Sequence, residues 1–222
     1  MNKNILLAGM TGMVGAMLMF LGDMLLYFTT EPITSFEEEI IGIMGGVGTP
    51  RLIMGGLLGP LSAFLYIVGF MQCYWAIKPA HKRAARVVFA LLSLGVIYGG
   101  AFHTHFTPLG MLSALGHHNA VAELEAFAVL NFYGMFFPSL LGYAVLGYLM
   151  VAGKTDYPRW MVLFSPLIVF WLSGLMQDLP QPFKIIIAGG WSNLTFLIFF
   201  ALSTYVLRRA ATRLPSGVTR ET

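Results

Sequence analysis

Charge and cysteine are what this sequence has least of. Only 10% of its 222 residues are Asp, Glu, Lys or Arg, against roughly 25% in soluble domains. So few charges cannot coat a globule with solvated side chains, which excludes an ordinary water-soluble domain. One cysteine, Cys73, excludes an intramolecular disulfide and any thiolate-based metal site. The basic residues sit at the edges of apolar runs rather than along one face, which excludes nucleic acid as a partner. The first apolar run is too long for a signal-peptide core and lacks a small-residue cleavage site, so no cleavable leader is expected.

What is present in abundance is apolar. Hydrophobic residues make up 57% of the chain, and its mean hydropathy is +0.76. This composition predicts an all-α, polytopic membrane helix bundle forming a single domain over residues 1–222. Six spans are read, at about 5–28, 53–77, 87–106, 125–152, 160–177 and 184–207. The apolar pattern of the fourth begins near residue 119, so its start, with Glu123 and Glu125, protrudes or lies in a cavity. Residues 36–44 suit a short interfacial helix, and Glu37, Glu38 and Glu39 read as solvated surface. Pro108 is expected to end the third span and open a loop over 107–118.

Orientation follows from the basic residues. With the N-terminus inside, every Lys and Arg of the thirteen falls on the inner side except Arg51 and Lys184. Cytoplasmic segments are enriched in Lys and Arg, so both termini are read as cytoplasmic, in a bacterial inner membrane. Most other polar groups then gather at the outer helix ends. The stretch Gly99 to Glu125 holds every histidine but His81.

Ionisable groups at membrane depth are costly, which makes them candidates for function. Asp23 follows a long apolar run and is the most telling of them. With His103, His105, Glu123 and Asp178 it forms the expected acid–base set. Tyr98, Asn131, Trp191 and Asn193 are expected to shape a substrate pocket, the last because a buried amide needs a partner. In ligand type, His103, His105, His118 and Glu125 would suit a divalent metal, zinc or iron. Paired histidines also leave a haem open. Methionines and aromatics read as packing and lipid-facing residues. Gly55-Gly56, Gly59-Pro60, Gly99-Gly100 and Gly142 suit close helix approach.

The segments GDMLLYF, RLIMGGLLGPLSAFLYIVGF and GGAFHTHF resemble those of an uncharacterised family of bacterial six-span membrane proteins, a domain of unknown function. That resemblance implies a six-helix bundle and supplies no activity. A looser similarity is to membrane isomerases and terpene cyclases, which place His, Glu, Asp, Asn and Trp in a cavity among helices. The leading expectation is an integral-membrane enzyme (isomerase, cyclase or hydrolase) working on a lipid or isoprenoid-like, hydrophobic small molecule near the outer leaflet. A transporter or ligand-binding protein using the same cavity is the alternative, and a haem-binding membrane protein the third.

Overall fold

The computed structural model describes residues 2–212, and the side chains of all of these but 2, 37, 38 and 212. Arg213, Arg220 and Glu221 lie outside it, as do the side chains of Glu37 and Glu38. Among the described residues all regular elements are helical. They are α1 (Asn2–Tyr27), α2 (Phe36–Gly45), α3 (Thr49–Ala76), α4 (Lys82–Ala114), α5 (His118–Val151), the four-residue α6 (Pro166–Val169) and α7 (Trp191–Thr212). Among the described residues, five helices are long and apolar enough to cross a membrane: α1, α3, α4, α5 and α7. The chain has the character of a multi-pass membrane protein.

The expected span at 160–177 is not one continuous helix. A 3-10 helix (Arg159–Phe164), α6 and a second 3-10 helix (Phe170–Met176) replace it. The cause is local. Ser165 is extended (φ −64°, ψ 137°) and caps α6, its Oγ accepting from the Leu167 N–H at 3.4 Å. Pro166 then fixes the first helical position and donates no hydrogen bond backward. The sixth expected span, 184–207, is also divided. A π-helical turn (Lys184–Gly189) precedes α7, and Gly190 separates them.

Pro108 does not end the third span, contrary to the expectation. Helix α4 runs through it to Ala114. The extra turns are held by α2, because Leu109 packs with Met44 and Leu52 in a buried apolar cluster. That packing outweighs one missing backbone bond. A short helix is present where one is expected at 36–44, as α2.

Glu39 is more than solvated surface. Its carboxylate accepts from the Thr34 N–H (2.7 Å), the Thr34 hydroxyl (2.7 Å) and the Ser35 N–H (3.0 Å), which caps α2. The Ser35 and Thr34 bonds, with Lys184 helping, hold its pKa below the ordinary 4.5. A depressed carboxyl stabilises the fold above its unfolded value and loses that contribution as pH falls through the folded one. Amide protection at the start of α2 is therefore expected to weaken below pH 4.5, and to be weak at neutral pH in Glu39→Gln. Hydrogen exchange corrected for intrinsic rate checks both.

Two devices set the two ends of the bundle. At one end, the Arg51 guanidinium donates to the Met24 carbonyl (2.9 Å) and the Phe28 carbonyl (3.1 Å). A cation there complements the carbonyl end of α1, where Met24 already accepts from the Phe28 N–H at 3.1 Å. At the other, Gln72 is fully buried; its amide donates to the Ile5 carbonyl and the Thr204 hydroxyl, both at 2.8 Å. Ser203 donates to the Gln72 carbonyl (2.7 Å) and shares a 2.7 Å bond with the Tyr157 hydroxyl. The start of α1 and the latter part of α7 therefore meet at one depth. Gln72→Leu orphans several of these groups at once and is expected to cost about 1–3 kcal/mol. Unfolding in SDS measures it.

Between the ends sits an aromatic block. Tyr66, Phe70, Phe199 and Phe200 are essentially inaccessible. Their rings lie 5.5–6.4 Å apart in the pairs Tyr66–Phe70, Tyr66–Phe200, Phe70–Phe200 and Phe199–Phe200. Rings at such spacing combine large buried area with favourable edge and offset contacts. The block forms the floor for what lies toward the Asp23 end.

Candidate functional site

Three helices place three polar side chains at one point. Asp23 is on the last turns of α1, His103 in the second half of α4 and Asn193 in the first turn of α7, and all three are buried. Asn193 Nδ2 donates to Asp23 Oδ2 at 2.6 Å. The Tyr66 hydroxyl, from α3, donates to Asn193 Oδ1 at 2.9 Å. His103 Nδ1 lies 3.6 Å from Asp23 Oδ1. The Tyr27 hydroxyl lies beside the same carboxyl and donates to the Gly189 carbonyl at 3.1 Å.

The tautomer of His103 follows from its other nitrogen. Nε2 lies 3.1 Å from the Gly55 carbonyl. A carbonyl only accepts, so Nε2 carries the hydrogen. In the neutral ring Nδ1 is then a bare lone pair aimed at Asp23. A single proton placed between them serves both groups, and its absence would leave a lone pair facing a carboxylate. Asn193 and Gly55 orient the two partners as second hydrogen-bond contacts do in acid–base sites.

These groups form one wall of a cavity of about 320 Å³. That is near the lower end of the range for small-molecule sites. The other walls are apolar and rich in aromatics: Phe102 and Phe106 from α4, Phe132 and Phe136 from α5, and Phe196 from α7. Phe36 and Ile40 of α2 close it on the Asp23 side. Phe170 and Trp171 line it and are also exposed on the protein's outer face, Trp171 by 65%. The mouth is therefore lateral, beside the broken helical segment.

The residues expected at the site divide sharply. Asp23, His103 and Asn193 come together. His105 does not: its Nδ1 donates to the Ala101 carbonyl on its own helix (2.7 Å), and its ring lies against Phe127. Because α4 continues past residue 105, His103 and His105 point about 200° apart and cannot share a site. Glu123, Glu125 and Asp178 are exposed. His118 begins α5 at an exposed turn. The metal set His103, His105, His118 and Glu125 is thus not assembled. Among the described residues no group of three or more His, Cys, Asp or Glu side chains is placed to hold a metal ion. Only His103 of the described histidines lines the cavity, so a second axial histidine for haem is not there either.

The expected pocket residues divide as well. Tyr98 is 40% exposed, with its ring over Gly134. The Asn131 amide reaches only the Phe127 carbonyl one turn back, at 3.5 Å. Trp191 is a positioning residue, its indole N–H donating to the Val169 carbonyl at 2.9 Å. That bond ties the broken segment to α7. Sequence reasoning missed Tyr66 and the aromatic walls. The need of Asn193 for a partner was the one signal that could have led to Tyr66.

A family model matches residues 1–210, and the chain belongs to that family, the family of unknown function DUF6796. No curated protein and no solved structure matches the chain.

Proposed function

We propose that this protein is an integral-membrane enzyme that moves protons on a lipid or isoprenoid-like substrate, with Asp23 and His103 as its acid–base pair. One observation carries the reading. A carboxyl and an imidazole lone pair face each other in a buried wall of an apolar cavity, each held by a separate neutral partner. Buried ionisable pairs of this kind are expensive and mark functional sites more often than packing does.

The reaction that suits the pair is a shift of a carbon–carbon double bond. The pair takes a proton from one carbon, and the electrons of that C–H bond become the new π bond. The old π electrons then take the proton back at the far carbon. No oxidant, reductant or co-substrate is required. Asn193 holds the carboxyl in place throughout, and Gly55 holds the imidazole. The aromatic block below the cavity favours an enzyme over a carrier, since a transported solute would need a route through it.

The chain's path supports six crossings. The Lys78 backbone N–H donates to the Lys154 carbonyl, which sets the end of α3 beside the end of α5. Gly189, beside Tyr27, lies at the opposite end. The segment between them traverses the bundle in pieces and supplies the sixth crossing. Lys78, Lys82, Arg83, Arg86 and Lys154 lie at the end where α1 starts, because Gln72 near the end of α3 bonds the Ile5 carbonyl. By the positive-inside bias that end is cytoplasmic, and the Asp23 site lies toward the outer leaflet of a bacterial inner membrane.

The test is isotopic. Protein in native-lipid nanodiscs is incubated in D2O and its bound lipid is analysed by mass spectrometry. One lipid species should gain a carbon-bound deuterium with the wild type and not with His103→Ala. Lipid that gains none, or gains it equally with both proteins, removes the acid–base reading.

A further inference from the structure

We infer that the cavity takes an amphiphile whose head is an uncharged oxygen group, a hydroxyl or a carbonyl, and not a phosphate or diphosphate. The inference deepens the acid–base reading of the same site and rests on it. Its basis is what surrounds the polar wall. Among the described residues, no Lys or Arg lines the cavity. The two described Lys and Arg residues at that end already have partners: Arg51 donates to the Met24 and Phe28 carbonyls, and Lys184 to the Ile33 carbonyl at 3.3 Å.

A phosphorylated head would thus bring charge into an apolar cavity with no counter-ion, beside a carboxyl group. Burying an unpaired charge costs more than any contact available here returns. An ammonium head meets a different obstacle, even with aromatic walls that attract cations. The one proton shared by Asp23 and His103 leaves the pair without net charge, so the wall supplies no counter-ion to a cation either. What the wall offers a ligand is the one proton between Asp23 and His103. A neutral oxygen can accept that proton's hydrogen bond, and a hydroxyl can also donate to the pair. The rest of the molecule then lies among Phe102, Phe132, Phe136 and Phe196, which suits an unsaturated chain. A volume of about 320 Å³ limits it to roughly fifteen carbons. Entry past Phe170 and Trp171 is sideways, from the lipid phase, where such molecules partition.

Three probes share one fifteen-carbon chain: farnesol, farnesyl diphosphate and farnesyl-trimethylammonium. Binding of each to the full-length protein in nanodiscs is measured by equilibrium displacement of radiolabelled farnesol, with empty nanodiscs subtracted. Leu140 of α5 lines the cavity, so the variant Leu140→Trp fills it and leaves Asp23 and His103 in place. The inference expects saturable farnesol binding at least tenfold tighter than either charged probe, and at least tenfold weaker in Leu140→Trp. Equal or tighter binding of the diphosphate or the ammonium overturns the neutral-head inference and leaves the deuterium test of the acid–base reading standing. Farnesol binding that Leu140→Trp does not weaken overturns the assignment to this cavity. Binding of none of the three overturns the inferred ligand class, while deuterium uptake into a native lipid decides the acid–base reading separately.

Discussion

Asp23→Asn is expected to abolish proton exchange while leaving the fold intact or firmer. The asparagine carbonyl can keep the bond from Asn193 Nδ2, now 2.6 Å from Asp23 Oδ2. Its amide N–H can donate to the bare His103 Nδ1, which lies 3.6 Å from Asp23 Oδ1. Every hydrogen bond around the site is then satisfied, and a buried carboxyl has been removed. Stability should hold or rise by about 1 kcal/mol, as it commonly does when a costly functional group is replaced. Chemistry should not survive, because an amide has no proton to exchange in this range. Loss of a positioned acid–base group lowers rates by roughly 10²–10⁴. Deuterium uptake into bound lipid reads the rate, and SDS unfolding reads the stability. Asp178→Asn and Glu123→Gln serve as controls. Both parent residues are exposed, so uptake should stay within about twofold. A drop in uptake with Asp178→Asn, or full uptake with Asp23→Asn, would place the chemistry elsewhere.

Asp23 was legible in the sequence because its carboxyl stands between an apolar run that ends at Leu21 and one that resumes at Met24, with no solvent to serve it. Asn193 was legible for the same reason. The histidines were harder. Sequence proximity put His103 and His105 together, but helical geometry separates them once α4 is known to continue through Pro108. What carries the helix onward is its contact with α2, a tertiary effect that the local sequence does not contain. The fifth span misled for the opposite reason. Residues 160–177 are apolar enough to cross, and hydropathy is blind to the extended Ser165 and Pro166 that divide them. Phe170 and Trp171, which line the cavity, lie just beyond that division. Tyr66 gave no signal of its own, being one aromatic in an apolar run. Its role appears only when α3 and α7 are set side by side.

Gly59→Ala is expected to damage both stability and chemistry, through the imidazole it touches. An added Cβ would lie 2.8 Å from His103 Cδ2, 2.9 Å from His103 Cβ and 3.1 Å from the Gly100 carbonyl. The ring cannot retreat toward α1, because a Cβ at Gly22 would already stand only 2.9 Å from His103 Nε2. Imidazole and glycine faces are packed on both sides, which is why small residues occur at this crossing. Either the ring leaves Gly55 or α4 moves off α3. Overpacking of this kind costs about 1–3 kcal/mol. Loss of the Nε2–Gly55 bond would free the tautomer, so deuterium uptake should fall by more than the stability change alone implies, by roughly 10². Gly42→Ala is the counterpart: it is exposed in α2 and an added Cβ meets nothing within 4 Å. There, alanine should stabilise the helix by up to about 1 kcal/mol. If Gly59→Ala behaves like Gly42→Ala in both readouts, His103 is not wedged between α1 and α3, and the geometry that fixes its proton on Nε2 loses its cause.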